Sequence, residues 1–181
     1  MFLFHKMRSG FAADRKRYYF NLGVKDTYSS LIATGIWGFV TGIAMMKSEL
    51  GESFAALMTL TVYAGSAQLT SLPLINNNAP LWLIFVAGMI VNVRFIIFSA
   101  ALQPFFRHLK WYKRLVLGYI TTDMSFVLFM SRYGSDTKRS SSQHLWYFLG
   151  LVIPNWLVWQ FCSYSGIFVG RLVPESWGIE Y

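Results

Sequence analysis

The sequence predicts an all-α, polytopic helical membrane protein, and three observations carry that prediction. Residues 53–93 run for forty-one positions without a charged side chain. A soluble domain would need charged faces on helices of that length. The composition is 55% hydrophobic, 18% aromatic and 13% charged, with a mean hydropathy of +0.41. The apolar runs also lack the alternation of period two that marks membrane barrel strands.

About five hydrophobic segments follow in order. Residues 1–26 precede them and read as a basic cytoplasmic tail, with Lys6, Arg8, Arg15, Lys16, Arg17 and Lys25. No continuous apolar stretch there resembles a cleavable signal. The membrane domain is expected over 27–181. Its first segment is Thr27 to Met46, wholly uncharged. The second is Ser53 to Ile75, and Asn76-Asn77-Asn78 supplies the polar turn after it. The third, Ala79 to Gln103, is interrupted by Arg94. The fourth, Leu115 to Ser131, is the shortest and carries Asp123. The fifth, Leu145 to Gly170, is uncharged. A spanning helix needs roughly 20 apolar residues, which these segments approach or exceed. Trp82, Trp111 with Tyr112, Trp146 with Tyr147, and Trp177 fall near segment ends, as an interfacial belt would place them. Trp156 and Trp159 share one helix face deeper in the fifth segment, where packing is the simpler role.

The flanking basic residues favour a cytoplasmic N-terminus, and hence a multi-pass protein of the cell inner (plasma) membrane. They sort to one side better if the second segment enters and returns than if every segment crosses. That segment is therefore expected to be broken or re-entrant. It contains Tyr63-Ala64-Gly65-Ser66-Ala67-Gln68, with Pro73 shortly after. Small residues let membrane helices approach closely, and a Gly-Ser stretch is a place where a helix can unwind. Unwound backbone at membrane depth must line protein or a cavity, and transporters use it to hold charged substrate groups. Gly65, Ser66 and Gln68 are accordingly pathway candidates, with a plain packing face as the alternative.

Several function classes are disfavoured. The net charge of +8 comes from short segments beside apolar runs, so it reads as membrane topology and not as nucleic-acid binding. The lone Cys162 excludes an internal disulfide. His5, His108 and His144 fall in flanking segments, which argues against a metal site or a Ser-His pair within the membrane. There is no phosphate-binding loop. A non-enzymatic protein without cofactor or metal is expected.

Arg94 lies about nine residues, or ~13 Å of helix, inside its span. A charge there costs on the order of 3 kcal/mol and should face a cavity or a partner. It could hold a substrate carboxylate through a bidentate fork, pair with Asp123, or snorkel. Asn92 lies two positions earlier and aligns with Ser99 on a different face, so that helix is polar on two sides. Asp123, flanked by Thr121, Thr122 and Ser125, could take up and release a proton or serve as a fixed partner for Arg94. Asn92, Arg94 and Asp123 complete the list of substrate or ion pathway residues.

Ala64-Gly65-Ser66-Ala67-Gln68, Asn92-Val93-Arg94-Phe95 with Ser99, and Asp123 after two threonines resemble the AzlC family in order and spacing. The resemblance covers about Val24 to the C-terminus. That family is the large subunit of two-component branched-chain amino acid exporters. The resemblance implies a secondary transporter subunit that exports branched-chain or similar hydrophobic amino acids, driven by an ion gradient. It also implies a small membrane partner of the AzlD type. Two features depart from the family pattern. Family members usually carry an acidic pair where this chain has Asp123-Met124. They also generally continue beyond the region resembling Val173 to Gly178, so the chain is expected to be a shortened member or to receive its last element from another chain. A non-transporting assembly subunit, active only through a partner chain, is the alternative.

Overall fold

The computed structural model describes residues 2–48, 50–137 and 139–172, with side chains from residue 14 onward. The tail side chains Lys6 and Arg8, together with Lys138, Trp177 and the Val173 to Gly178 region, lie outside the described residues. Among the described residues the chain is all helix: α1 (Phe2–Lys47), α2 (Glu52–Thr61), α3 (Gly65–Asn76), α4 (Leu81–Asn92), α5 (Arg94–Phe106), α6 (Trp111–Tyr119), α7 (Asp123–Tyr133) and α8 (Ser142–Leu172).

The first and fifth expected segments fall within α1 and α8. These two helices are long and apolar enough to cross a membrane, over 14–47 and 142–172. The third segment is α4 plus α5, bent by 45° at Val93, and it makes a third candidate span if the pair counts as one. The bend coincides with tightened backbone bonding, Val93 N–H to Ile90 and Ile96 N–H to Val93 at 3.3 and 3.0 Å. The second segment is interrupted, as expected, and the fourth, expected as one short span, is interrupted as well. The second segment is α2 and α3, separated at residues 62–64, and the fourth is α6 and α7, separated at 120–122. Their halves have 9 to 12 residues, ~14–18 Å of helix against a hydrocarbon core of ~30 Å. The expected polar turn is present between α3 and α4, where Asn78 adopts φ 51°, a left-handed conformation that Asn tolerates better than most residues.

The chain divides into two compact units. Unit 1 comprises residues 1–31 and 97–155, and unit 2 comprises 32–96 and 156–181. In unit 1, Phe105, Phe129, Phe148 and Leu151 form the centre of an aromatic-rich core, against which Tyr19 and Leu22 of α1 pack. Helix α1 runs through residue 26 without interruption, so the expected division between tail and membrane domain does not coincide with a helix end. Asp26 receives the Tyr147 hydroxyl at 2.7 Å and the Arg132 guanidinium at 2.7 Å. Gly23 and Gly150 let the backbones of α1 and α8 meet, since a Cβ on Gly150 would collide with the Phe20 carbonyl.

Unit 2 has a smaller core of Ala44, Met45, Ala55, Leu72 and Ile167. Here too α1 and α8 meet through small residues. A Cβ on Gly42 would collide with the Ser163 carbonyl, and one on Gly166 with the Phe39 carbonyl. Helix α4 packs beside α3, yet none of its residues is buried. Leu81, Trp82, Phe85 and Ile90 are all exposed on it.

Candidate functional site

The second segment breaks where the small-residue run lies. Helix α2 stops at Thr61, Val62 and Ala64 leave helical geometry (Ala64 φ −152°, ψ 90°), and α3 restarts at Gly65. The end of α2 frees carbonyl groups that cannot be left without partners away from water. The Val62 N–H serves the Met58 carbonyl at 2.9 Å, and long polar side chains supply further donors along α2 and at its end. The Gln68 amide donates to the carbonyls of Met58 and Val62, at 3.1 and 2.7 Å. The Gln160 amide donates to the Thr59 carbonyl at 3.1 Å, and the Tyr164 hydroxyl to that of Ala56 at 3.2 Å. The hydroxyls of Thr59 and Ser163 lie 2.6 Å apart.

Gly65 sits beneath an indole ring. A Cβ there would lie 2.5 Å from Cη2 of Trp159, and Tyr63 meets the same ring edge-on with centroids 5.8 Å apart. Trp159 thus packs, as the sequence suggests, but it packs on the break itself. The amide oxygens of Gln68 and Gln160, both buried, have no hydrogen-bond partner among the described residues.

On the exposed side of the break, Arg94 Nη2 donates to Ser66 Oγ at 2.9 Å. Arg94 is the first residue of α5 and its guanidinium lies 5.2 Å from the Phe95 ring centroid. A cation is therefore held beside the N-terminal turn of α3, where helix N–H groups also favour negative charge. Asn92, the last residue of α4, holds a buried Oδ1 with no hydrogen-bond partner among the described residues.

The sixth candidate, Asp123, belongs to unit 1 and opens α7 after the interruption at residues 120–122. Thr122 caps that helix, accepting the Ser125 N–H at 3.2 Å, while the Thr122 N–H donates to Ser125 Oγ at 2.9 Å. The Thr121 hydroxyl turns back to the Leu117 carbonyl at 2.6 Å. Asp123 places a carboxylate in the first turn, where the helix dipole stabilises it. Unit 2 therefore contains Gly65, Ser66, Gln68, Asn92 and Arg94, with Ser66 and Arg94 in direct contact. Sequence reasoning missed Gln160, Ser163 and Tyr164. Their only signal is a recurrence of polar side chains in an otherwise apolar helix.

The family model described as AzlC protein matches residues 29–173. An uncharacterized membrane protein of Helicobacter pylori strain ATCC 700392 / 26695 is 24% identical over 156 residues, covering 86% of this chain. Its counterpart in Helicobacter pylori strain J99 / ATCC 700824 is 23% identical over the same length. The chain spans 66% of the length of each of these curated relatives. No solved structure matches.

Proposed function

Because the chain belongs to the AzlC family, and is thereby a membrane protein related to transport, we propose that it is a secondary transporter subunit that exports branched-chain or similar hydrophobic amino acids. Its setting in this reading is the inner (plasma) membrane, N-terminus inside, with a small AzlD-type subunit as partner. The observation that carries the reading is the guanidinium of Arg94 bonded to Ser66 at the start of α3, beside an interrupted helix. A neutral hydrophobic amino acid presents one anionic group, its carboxylate. Arg94 can take that group in a bidentate fork, with Ser66 Oγ as a further donor. Releasing it requires only that Arg94 return to Ser66. Asp123, at the other interruption, is the candidate proton carrier. The exposed apolar face of α4 suits lipid or the small partner.

The test is leucine efflux from vesicles holding the purified chain, with and without a co-expressed candidate partner. Arg94→Gln should abolish efflux, and Arg94→Lys should restore only part of it, because an ammonium lacks the fork. Undiminished efflux by a well-folded Arg94→Gln protein would overturn the assignment. No leucine efflux under any pairing would favour the assembly-subunit reading.

A further inference from the structure

We propose that the corner between α5 and α6 is a binding site for an anionic phospholipid. Arg107, Lys110, Lys113 and Arg114 fall within eight residues there, and all four are exposed. Between Glu52 and Asp123 the sequence contains no carboxylate. None of the described ion pairs involves these four cations. A cluster of this size beside a membrane segment is the pattern that anionic headgroups recognise.

The corner also has room for an acyl chain. A cavity of about 360 Å³ is lined by Phe106, Trp111 and Leu115 together with Ser99, Gln103 and Arg114. All of these belong to unit 1. Trp111 is 68% exposed and Tyr112 46% exposed beside it, the placement of aromatic side chains at a headgroup layer. Leu115 and Val116 continue outward from the same helix at 64% and 58% exposure. The ligand that fits is an amphiphile with an anionic head. A hydrophobic amino acid fits less well, because its ammonium would meet Arg114 in a cavity whose lining holds no carboxylate. An inorganic anion would leave the apolar lining unused.

The experiment uses the full chain, delipidated in neutral detergent and mixed with equal phosphatidylglycerol and phosphatidylcholine. Retained lipid is read by mass spectrometry of the intact protein, and stability by thermal unfolding. Phosphatidylglycerol should be retained in clear excess and should raise the unfolding midpoint. Lys110→Gln, Lys113→Gln and Arg114→Gln should each lower the preference by about fivefold. If any of these variants loses its helical circular dichroism, a sodium chloride titration of the unaltered chain replaces it, and added salt should weaken retention. Equal retention of the two lipids would overturn the proposal. So would inorganic phosphate matching the stabilisation by phosphatidylglycerol, or leucine displacing the lipid. The readout is lipid retention, so it stands apart from the outcome of any efflux measurement.

Discussion

Each unit contains a pair of short helices separated by a three-residue interruption, at 62–64 in unit 2 and 120–122 in unit 1. They differ in how the freed backbone groups are satisfied. The unit 1 interruption is handled locally, by the Thr122–Ser125 capping box and by Thr121 folding back on Leu117 near the end of α6. The unit 2 interruption is held from a distance, by Gln68 from the next helix and by Gln160 and Tyr164, more than a hundred positions away. Local capping needs little from the rest of the fold. A break held by remote side chains is coupled to the packing of α8, and it is the one that carries the guanidinium. The charges are opposite as well: Arg94 stands at the remotely held break and Asp123 at the locally capped one.

The sharpest way to break this comparison is Gln68→Leu. The change keeps the volume near that of glutamine but strands the Val62 carbonyl at a fully buried position and takes a second donor from the Met58 carbonyl, which keeps the Val62 N–H at 2.9 Å. One unsatisfied buried group costs ~1–3 kcal/mol and a lost second hydrogen bond ~0.5–1.5 kcal/mol, so a loss of about 2–4 kcal/mol is expected, read as a lowered thermal unfolding midpoint in detergent. A loss below about 1 kcal/mol would mean that the break is held by something other than its remote amides.

Gly65→Ala is the next largest. The added carbon meets Trp159, and overpacking costs ~1–3 kcal/mol. Gly118→Ala in α6 is its counterpart in unit 1, with nothing within 4 Å of the added carbon. In an open helical position Ala gains about 0.5–1 kcal/mol over Gly. The two substitutions should therefore shift the unfolding midpoint in opposite directions. Leucine efflux should fall further than expression in Gly65→Ala, and a parallel fall in both would reduce the glycine to a packing residue.

The two breaks were unequally legible in the sequence. The run Ala64-Gly65-Ser66-Ala67 has no bulky residue, and close approach to Trp159 needs that, so the unit 2 break could be read from composition. The unit 1 break has its own signal, Thr122 followed three residues later by Ser125, an N-terminal cap with its reciprocal partner. It was hidden because Leu115 to Ser131 reads as one apolar run, and hydropathy does not register capping chemistry. The structural role of Gln68 was hidden for a related reason. A carboxamide in an apolar run suggests a ligand contact, and its amide nitrogen here also serves the carbonyls of Met58 in α2 and Val62 in the interruption, which only the tertiary structure reveals. Arg94 was legible as a costly charge, but its contact with Ser66 bridges residues twenty-eight positions apart, beyond any local pattern.

Thr122→Ala tests the locally held break. It removes the acceptor for the Ser125 N–H and should cost about 1 kcal/mol, less than either unit 2 change. A cost matching Gln68→Leu would show that the two interruptions are equally demanding and would remove the contrast between local and remote capping.

The smallest effect on stability is expected from Asp123→Asn. The substitution keeps the size of the first α7 residue, removes its charge and turns one carboxylate oxygen into an amide donor. A carboxylate in the first turn contributes ~0.3–1 kcal/mol through the helix dipole, and this is reduced by salt. A stability loss in that range, shrinking as sodium chloride is added, would identify the dipole as its structural role. The transport consequence is separate and larger if Asp123 carries a proton. An asparagine cannot be deprotonated, so efflux by the variant should lose its dependence on an imposed pH gradient while the protein remains folded. Efflux that still follows the gradient would leave Asp123 as a helix-end charge alone. The contrast between the two breaks would then reduce to one functional site at Arg94 and one structural turn.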